Sequence, residues 1–303
     1  MVERRYYRVA GLAFSIAAEP EQLAVLTNYE PFVIPASQAP ERLFDITPGN
    51  VGDTSDKKTV YTDTSDEDMP RIEVYRLPAR ENNKEDDWLL QVAKNKAGEI
   101  CTRIRASYDF SQVTLQIESA DTRFAIDNTA MLMYAFTTAD KGVLEMHASV
   151  TVKDGHGFLF LGHSGTGKST HSRLWQEAFD DARLLNDDNP ILRVLDHEGQ
   201  RQVRVYGSPW SGKTPCYINR DVPVGGIVKL CQAPHNKIRQ LRLPEAYAYM
   251  LSSASGLKIV PAMMDALYTT IAEMIQLIPL HELECLPDTD AARLCESTVN
   301  RKK

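Results

Sequence analysis

Phe158-Leu-Phe-Leu161 runs directly into Gly162-His-Ser-Gly-Thr-Gly-Lys-Ser169. A continuous apolar run of this length suits a short strand buried on both faces. Gly162 to Ser169 fits G-x-x-x-x-G-K-[ST] at every fixed position, and Ser169 to Phe179 then reads as a helix. Strand, glycine-rich bend and helix in that order meet the needs of a phosphate chain. Its negative charges must lose their water, and inward-pointing backbone N–H groups can replace that shell. Glycines let the bend curl and let the backbone come close. The helix adds its positive N-terminal end. Lys168 would bring a full charge to the β- and γ-phosphates, and Ser169 a hydroxyl to Mg²⁺. The candidate nucleotide contacts are therefore Gly162, His163, Ser164, Gly165, Thr166, Gly167, Lys168, Ser169 and Thr170.

About twenty residues on comes Leu184-Leu-Asn-Asp-Asp-Asn-Pro190. Alone, Asn-Asp-Asp-Asn-Pro is good turn chemistry. After a phosphate-binding bend it reads differently. Adjacent carboxylates repel unless a cation lies near, which a metal–phosphate site supplies. One carboxylate at a strand end can hold Mg²⁺, and another can take the proton of an attacking hydroxyl. Asp187 and Asp188 are the candidates.

Working outward, Val143 to Val150 has strand character, and strands are expected at Val203 to Tyr206 and Gly226 to Leu230. Asp127 can cap a helix whose apolar face runs from Met131 to Phe136. Helices are expected over Pro244 to Ser253 and Pro261 to Ile278. The second places Leu267, Ile271, Met274 and Ile278 on one face, the spacing of core packing. The first 120 or so residues read as β-rich: Tyr6 to Ile16, Arg71 to Leu77, and a meander of Trp88 to Val92, Glu99 to Arg105 and Gln112 to Glu118. The acidic stretches Asp63 to Asp68 and Glu81 to Asp87 fit solvated loops. The expected division is a β-rich N-terminal domain over 1–122 and an α/β nucleotide-binding domain over 123–303.

The 303 residues carry a net charge of -7, with 43% hydrophobic and 25% charged residues. Those values exclude a wholly disordered chain, and the acidic balance argues against a nucleic-acid binder. The five cysteines (Cys101, Cys216, Cys231, Cys285 and Cys295) form no C-x-x-C pair. An odd count without that spacing fits a reducing compartment, so a cytoplasmic protein is expected. No run approaches the roughly 18 apolar residues a membrane span needs. Arg4, Arg5 and Arg8 ahead of Val9 to Ala18 loosely mimic a signal peptide, but Glu3 and the position of Arg8 favour a first strand.

Gly162-His-Ser-Gly-Thr-Gly-Lys-Ser-Thr170 followed by Leu185-Asn-Asp-Asp188 resembles the HPr kinase/phosphorylase and phosphoenolpyruvate carboxykinase superfamily. Within it the likeness is to HPr-kinase-related proteins of unassigned substrate. Gly207-Ser-Pro-Trp-Ser-Gly212, Val222 to Leu230 and Pro279 to Cys285 are similar to further segments of those kinases. The resemblance spans about residues 127–290. It implies a carboxykinase-like α/β domain whose bend holds nucleotide phosphates, with Asp187 as base and Asp188 and Ser169 on the metal; the roles of the two aspartates could be exchanged. His147 resembles the histidine that precedes the loop in HPr kinases, where it would touch the reacting phosphate or the base; a hydrogen-bonded strand histidine is the plainer alternative. Departures are specific. Ala148 stands where HPr kinases tend to have glycine, and Thr170 where they tend to have glutamate. The extended segment after the acids is not recognisable. These differences speak against HPr as substrate and against a reverse phosphorylase reaction. The chain is also too short for a carboxykinase. HPr kinases assemble as oligomers, so a homo-oligomer is implied with its subunit number open.

The expected activity is an ATP- and Mg²⁺-dependent kinase acting on a hydroxyl of a small molecule or of a protein Ser/Thr, with no nucleic acid or membrane partner. The competing class is a nucleotide-binding regulator without transfer. Secondary candidates are His163 at a phosphate, a cation from Arg204, Lys213 or Arg220, and Ser208, Ser211 and Gly212 lining an acceptor pocket. A cysteine nucleophile has no support.

Overall fold

Contacts divide the chain into Met1–Thr137 and Thr138–Lys303. The computed structural model describes all residues but 53, 63–69, 80–83, 96–97, 213 and 301–303. The acidic stretch Asp63 to Asp68, the start of the second one and Lys213 thus lie outside the described residues. Among the described residues no helix is long and apolar enough to cross a membrane.

The first unit is a mixed sheet. Its elements are β1 (Glu3–Val9), β2 (Leu12–Ala18), α1 (Pro20–Ala24), β3 (Val33–Ile34), β4 (Asp45–Pro48), β5 (Lys58–Thr62), β6 (Arg71–Leu77), β7 (Asp87–Ala93), β8 (Ile100–Ala106), β9 (Gln112–Ile117) and α2 (Thr122–Thr138). The strand order is β3-β1-β2-β4-β9-β8-β7-β6-β5. The stretch expected as one strand, Tyr6 to Ile16, is a hairpin. Ala10 and Gly11 both take positive φ, 48° and 81°, which turns the chain back on itself. β6 to β9 form the antiparallel meander read from their alternation. Asp87, the last acid of the second acidic stretch, is not solvated: it is buried in β7 with Arg105 Nε at 2.7 Å.

α2 begins ahead of Asp127. The cap is Asp121, whose carboxylate accepts from Phe124 N at 3.1 Å. Asp127 is instead taken up inside the unit, where Asn28 Nδ2 donates to it at 3.0 Å. The helix packs with the first unit: the Tyr134 hydroxyl donates to Val9 O at 2.9 Å, and Phe136 meets Phe110 edge-on.

The second unit contains β10 (Val143–Glu145), β11 (Ala148–Lys153), β12 (His156–Leu161), α3 (Lys168–Ala178), β13 (Arg183–Asp188), β14 (Ile191–His197), β15 (Gln200–Tyr206), β16 (Asp221–Gln232), β17 (Lys237–Gln240), α4 (Leu243–Ser253), α5 (Pro261–Leu277), β18 (Leu280–Cys285) and α6 (Thr289–Val299). Its sheet runs β10-β14-β15-β16-β12-β11-β13, with β18 beside β16 and β17 beyond. β12 shows why its sequence is apolar at successive positions. Phe158 and Phe160 pack with Trp175 of α3 and Cys295 of α6, while Leu159 and Leu161 pack with Met250 of α4 and Ile271 of α5. Both faces are covered by helices, so alternation vanishes.

The stretch Val143 to Val150 is two strands, not one. Met146 bridges to Ala254, and His147 N donates to Ser253 O at 2.7 Å, so the backbone leaves the β14 ladder before joining β12 and β13.

Candidate functional site

Strand pairing assembles the site. Ala148 is opposite both Leu161 and Asp188. That register brings the end of β12, His147 ahead of β11, and the paired acids at the end of β13 to one edge. On the other flank, β16 runs parallel to β12 with Lys229 opposite Leu161, so Leu230 to Gln232 reach the same edge.

The glycine-rich loop curls between β12 and α3. Gly165 and Gly167 hold positive φ of 77° and 104°, which suits residues without a Cβ. Thr166 N donates to His163 O at 3.2 Å. Gln232 braces the loop from β16, donating to Gly165 O at 3.3 Å and Thr166 O at 3.4 Å. Gly167 caps α3, whose first turn begins at Lys168. Thus the loop meets a helix N-terminus, where unpaired N–H groups concentrate.

Lys168 is 9% exposed and points back over the loop. Its Nζ donates to Gly162 O at 2.9 Å and His163 O at 3.3 Å, and lies 2.8 Å from His147 Nε2. Burial pulls its pKa below the ordinary lysine value, while the charges of Asp188 and Asp187 push it back up. His147 Nδ1 in turn lies 3.1 Å from Asp188 Oδ1. With the ammonium donating, Nε2 accepts, so the ring proton sits on Nδ1 facing Asp188. The result is a Lys168–His147–Asp188 chain across the mouth of the loop.

Asp187 is 4% exposed. Its main-chain oxygen accepts from Gly212 N at 2.6 Å. Burial raises the thiol pKa of Cys216 to about 11, and the Asp187 charge adds to that rise. Asn186 explains how the acids are held. Its side chain donates to Ser208 Oγ at 3.1 Å and Trp210 O at 3.2 Å and accepts from Asn189 N at 3.0 Å. The segment 207–212 is therefore tied to the acid-bearing strand. At Gly212 a Cβ would stand 3.0 Å from Asp187 O and 3.2 Å from the Asp188 side chain, so a larger residue would press on the acids where the two backbones meet.

The remaining candidates divide clearly. Ser169, His163 and Ser164 are exposed and Thr170 is half-buried, all on or beside the loop. Ser208 is fully buried and its hydroxyl goes to Asn189 O at 2.6 Å, which removes it from any acceptor pocket. Ser211 donates to Thr214 O at 2.7 Å. Arg204 is bound to Asp221, and Arg220 is exposed. Among the described residues no group of three or more His, Cys, Asp or Glu could hold a metal. Mg²⁺ ordinarily takes only one or two carboxylates beside phosphate oxygens and water, so a group of three is not required for it.

Sequence reading missed Asn186 and Gln232 as supports, although Asn186 directly precedes the acids. It also missed Glu145. That residue is 1% exposed on β10, and burial pushes its pKa up to about 8, with Ser255 opposing and Asp188 adding to the rise.

A family model described as SynChlorMet cassette protein ScmC matches residues 115–285, more than half of the chain. The chain belongs to the ScmC family. The matched span holds the loop, His147 and both acids. Among solved structures, the ScmC-family chain is similar to the Hpr(Ser) kinase/phosphatase from Coxiella burnetii at 15% identity and a TM-score of 0.29, over 51% of this chain and 87% of that one. A score so low carries no argument. No curated protein matches the chain.

Proposed function

We propose that this ScmC-family chain is an ATP- and Mg²⁺-dependent kinase that moves the γ-phosphoryl group to a hydroxyl. The observation that carries the reading is the Lys168–His147–Asp188 chain at the mouth of a glycine-rich loop, with Asp187 next to it. The loop N–H groups and the start of α3 hold the phosphates. Lys168 leaves the Gly162 and His163 carbonyls for the β- and γ-phosphates. Asp187 takes the acceptor's proton as a bond forms from the acceptor oxygen to the γ-phosphorus. The bond from that phosphorus to the β-bridging oxygen breaks, and ADP departs. Ser169 and Asp188 would hold Mg²⁺, which supplies charge neutralisation on the phosphates. His147 orients Asp188 and keeps Lys168 poised. The acceptor is a small molecule or a protein Ser/Thr.

A second reading, a nucleotide-binding regulator without transfer, draws on the burial of Asp187, 4% exposed. One experiment separates them. The chain is incubated with Mg·ATP, with and without an extract of small metabolites and peptides, and ADP is followed. Acceptor-dependent ADP that vanishes in Asp187→Asn supports the kinase. Tight Mg·ATP binding with no ADP under any condition sinks it and leaves the regulator.

A further inference from the structure

A crevice of about 370 Å³ adjoins the glycine-rich loop on the flank away from the acids. It lies where the parallel strands β12, β16 and β18 end. Outside such strand ends is where open α/β sheets take ligands. The volume falls within the range of about 300–1,000 Å³ usual for small-molecule pockets.

Its lining contrasts with the other flank. Leu174, Leu230, Leu286 and Pro287 form apolar walls, Gly165 to Gly167 form the rim, and among the described residues no Lys, Arg, Asp or Glu lines it. A phosphate would find no counter-charge there. His171, 3% exposed on α3, brings a titratable ring to the crevice. Trp175 Nε1–H donates to its Nε2 at 3.1 Å, which leaves the ring proton on Nδ1. Phe160 meets the ring edge-on at 4.7 Å, and burial lowers its pKa to about 4. His171 is therefore an uncharged donor near neutral pH, suited to a neutral heteroaromatic edge.

We propose that this crevice takes the nucleoside end of the nucleotide, with Leu286 and Pro287 flanking the base and His171 Nδ1–H meeting its edge. The proposal rests on the reading of the loop as the phosphate site and adds what the other end of the ligand touches.

The test titrates the full chain with Mg·ATP and with Mg·tripolyphosphate, the latter having phosphates and no nucleoside. Wild type should bind Mg·ATP about tenfold tighter or more. Ala233 also lines the crevice; Leu286→Asn and Ala233→Trp, which roughen and plug it, should each weaken Mg·ATP about fivefold or more and leave tripolyphosphate within about twofold. Equal wild-type affinity for the two ligands overturns the proposal. So does unchanged Mg·ATP binding in both variants. A variant that loses tripolyphosphate as well has lost its fold, and the wild-type comparison then decides alone. If wild type binds neither ligand, or if Lys168→Ala binds both normally, the phosphate-site reading itself fails, an outcome distinct from a failed crevice.

Discussion

Lys168 Nζ lies 2.8 Å from His147 Nε2, although two strands and a loop separate the two residues along the chain. The ammonium is thus held over the bend by two carbonyls and an imidazole, all of them weaker partners than a phosphate. A polyphosphate would draw it away. Lys168→Ala should weaken Mg·ATP binding by about a hundredfold or more, around 3 kcal/mol, while the fold survives. Calorimetric titration with circular dichroism as control measures this. Near-wild-type affinity in a folded variant would remove the loop from the binding site.

Asp187→Asn keeps shape and removes the proposed base. Nucleotide affinity should change little, and turnover with an identified acceptor should fall about 10²- to 10⁴-fold. Paired binding and rate measurements check it. Retained turnover would move the base role to Asp188.

Gly212→Ala probes the contact between 207–212 and the acids. The new methyl would press on Asp187 O and the Asp188 side chain, 3.0 and 3.2 Å away. Turnover should drop roughly tenfold or more with Mg·ATP binding nearly intact, since positioning errors near 1 Å are costly. A fully active variant would show that the acids tolerate displacement.

Glu145 yields a pH signature. Its pKa in the folded chain is raised to about 8, well above that of a free glutamate. Between about pH 4.5 and 8 the folded state therefore binds more protons than the unfolded state. The stability contribution is complete below pH 4.5 and is lost as pH rises to about 8. Glu145→Gln should flatten that decline and leave the variant more stable than wild type at pH 8. Denaturant unfolding of both proteins across this range measures it. Parallel curves would mean that the carboxyl is not held protonated.

The elements legible in the sequence were those with a local cause. β12 announced itself because helices on both faces need apolar residues at every position, and α5 because one face packs on the sheet. The loop was legible because its glycines and Lys168 are consecutive. The adjacency of Asp187 and Asp188 was legible too; what holds them was not. Asn186 works through residues more than twenty positions away, and Gln232 braces a loop over sixty positions away. Such contacts leave no periodic trace. The Tyr6 to Ile16 stretch misled because Ala10, an unusual residue at positive φ, sits in its turn. Asp127 misled because a half-buried acid bound to Asn28 has the same local sequence as a cap.

His147 stands where the backbone passes from one ladder to another, fastened by Met146 to Ala254 and by its own N–H to Ser253. These fastenings close a loop of more than a hundred residues, the slow kind of closure in folding. A nascent chain that has emerged only as far as β17 already possesses the bend, both acids and the strand beside the imidazole, and lacks only these two backbone fastenings. Both fastenings wait for the end of α4, so this stretch of backbone is pinned late in synthesis.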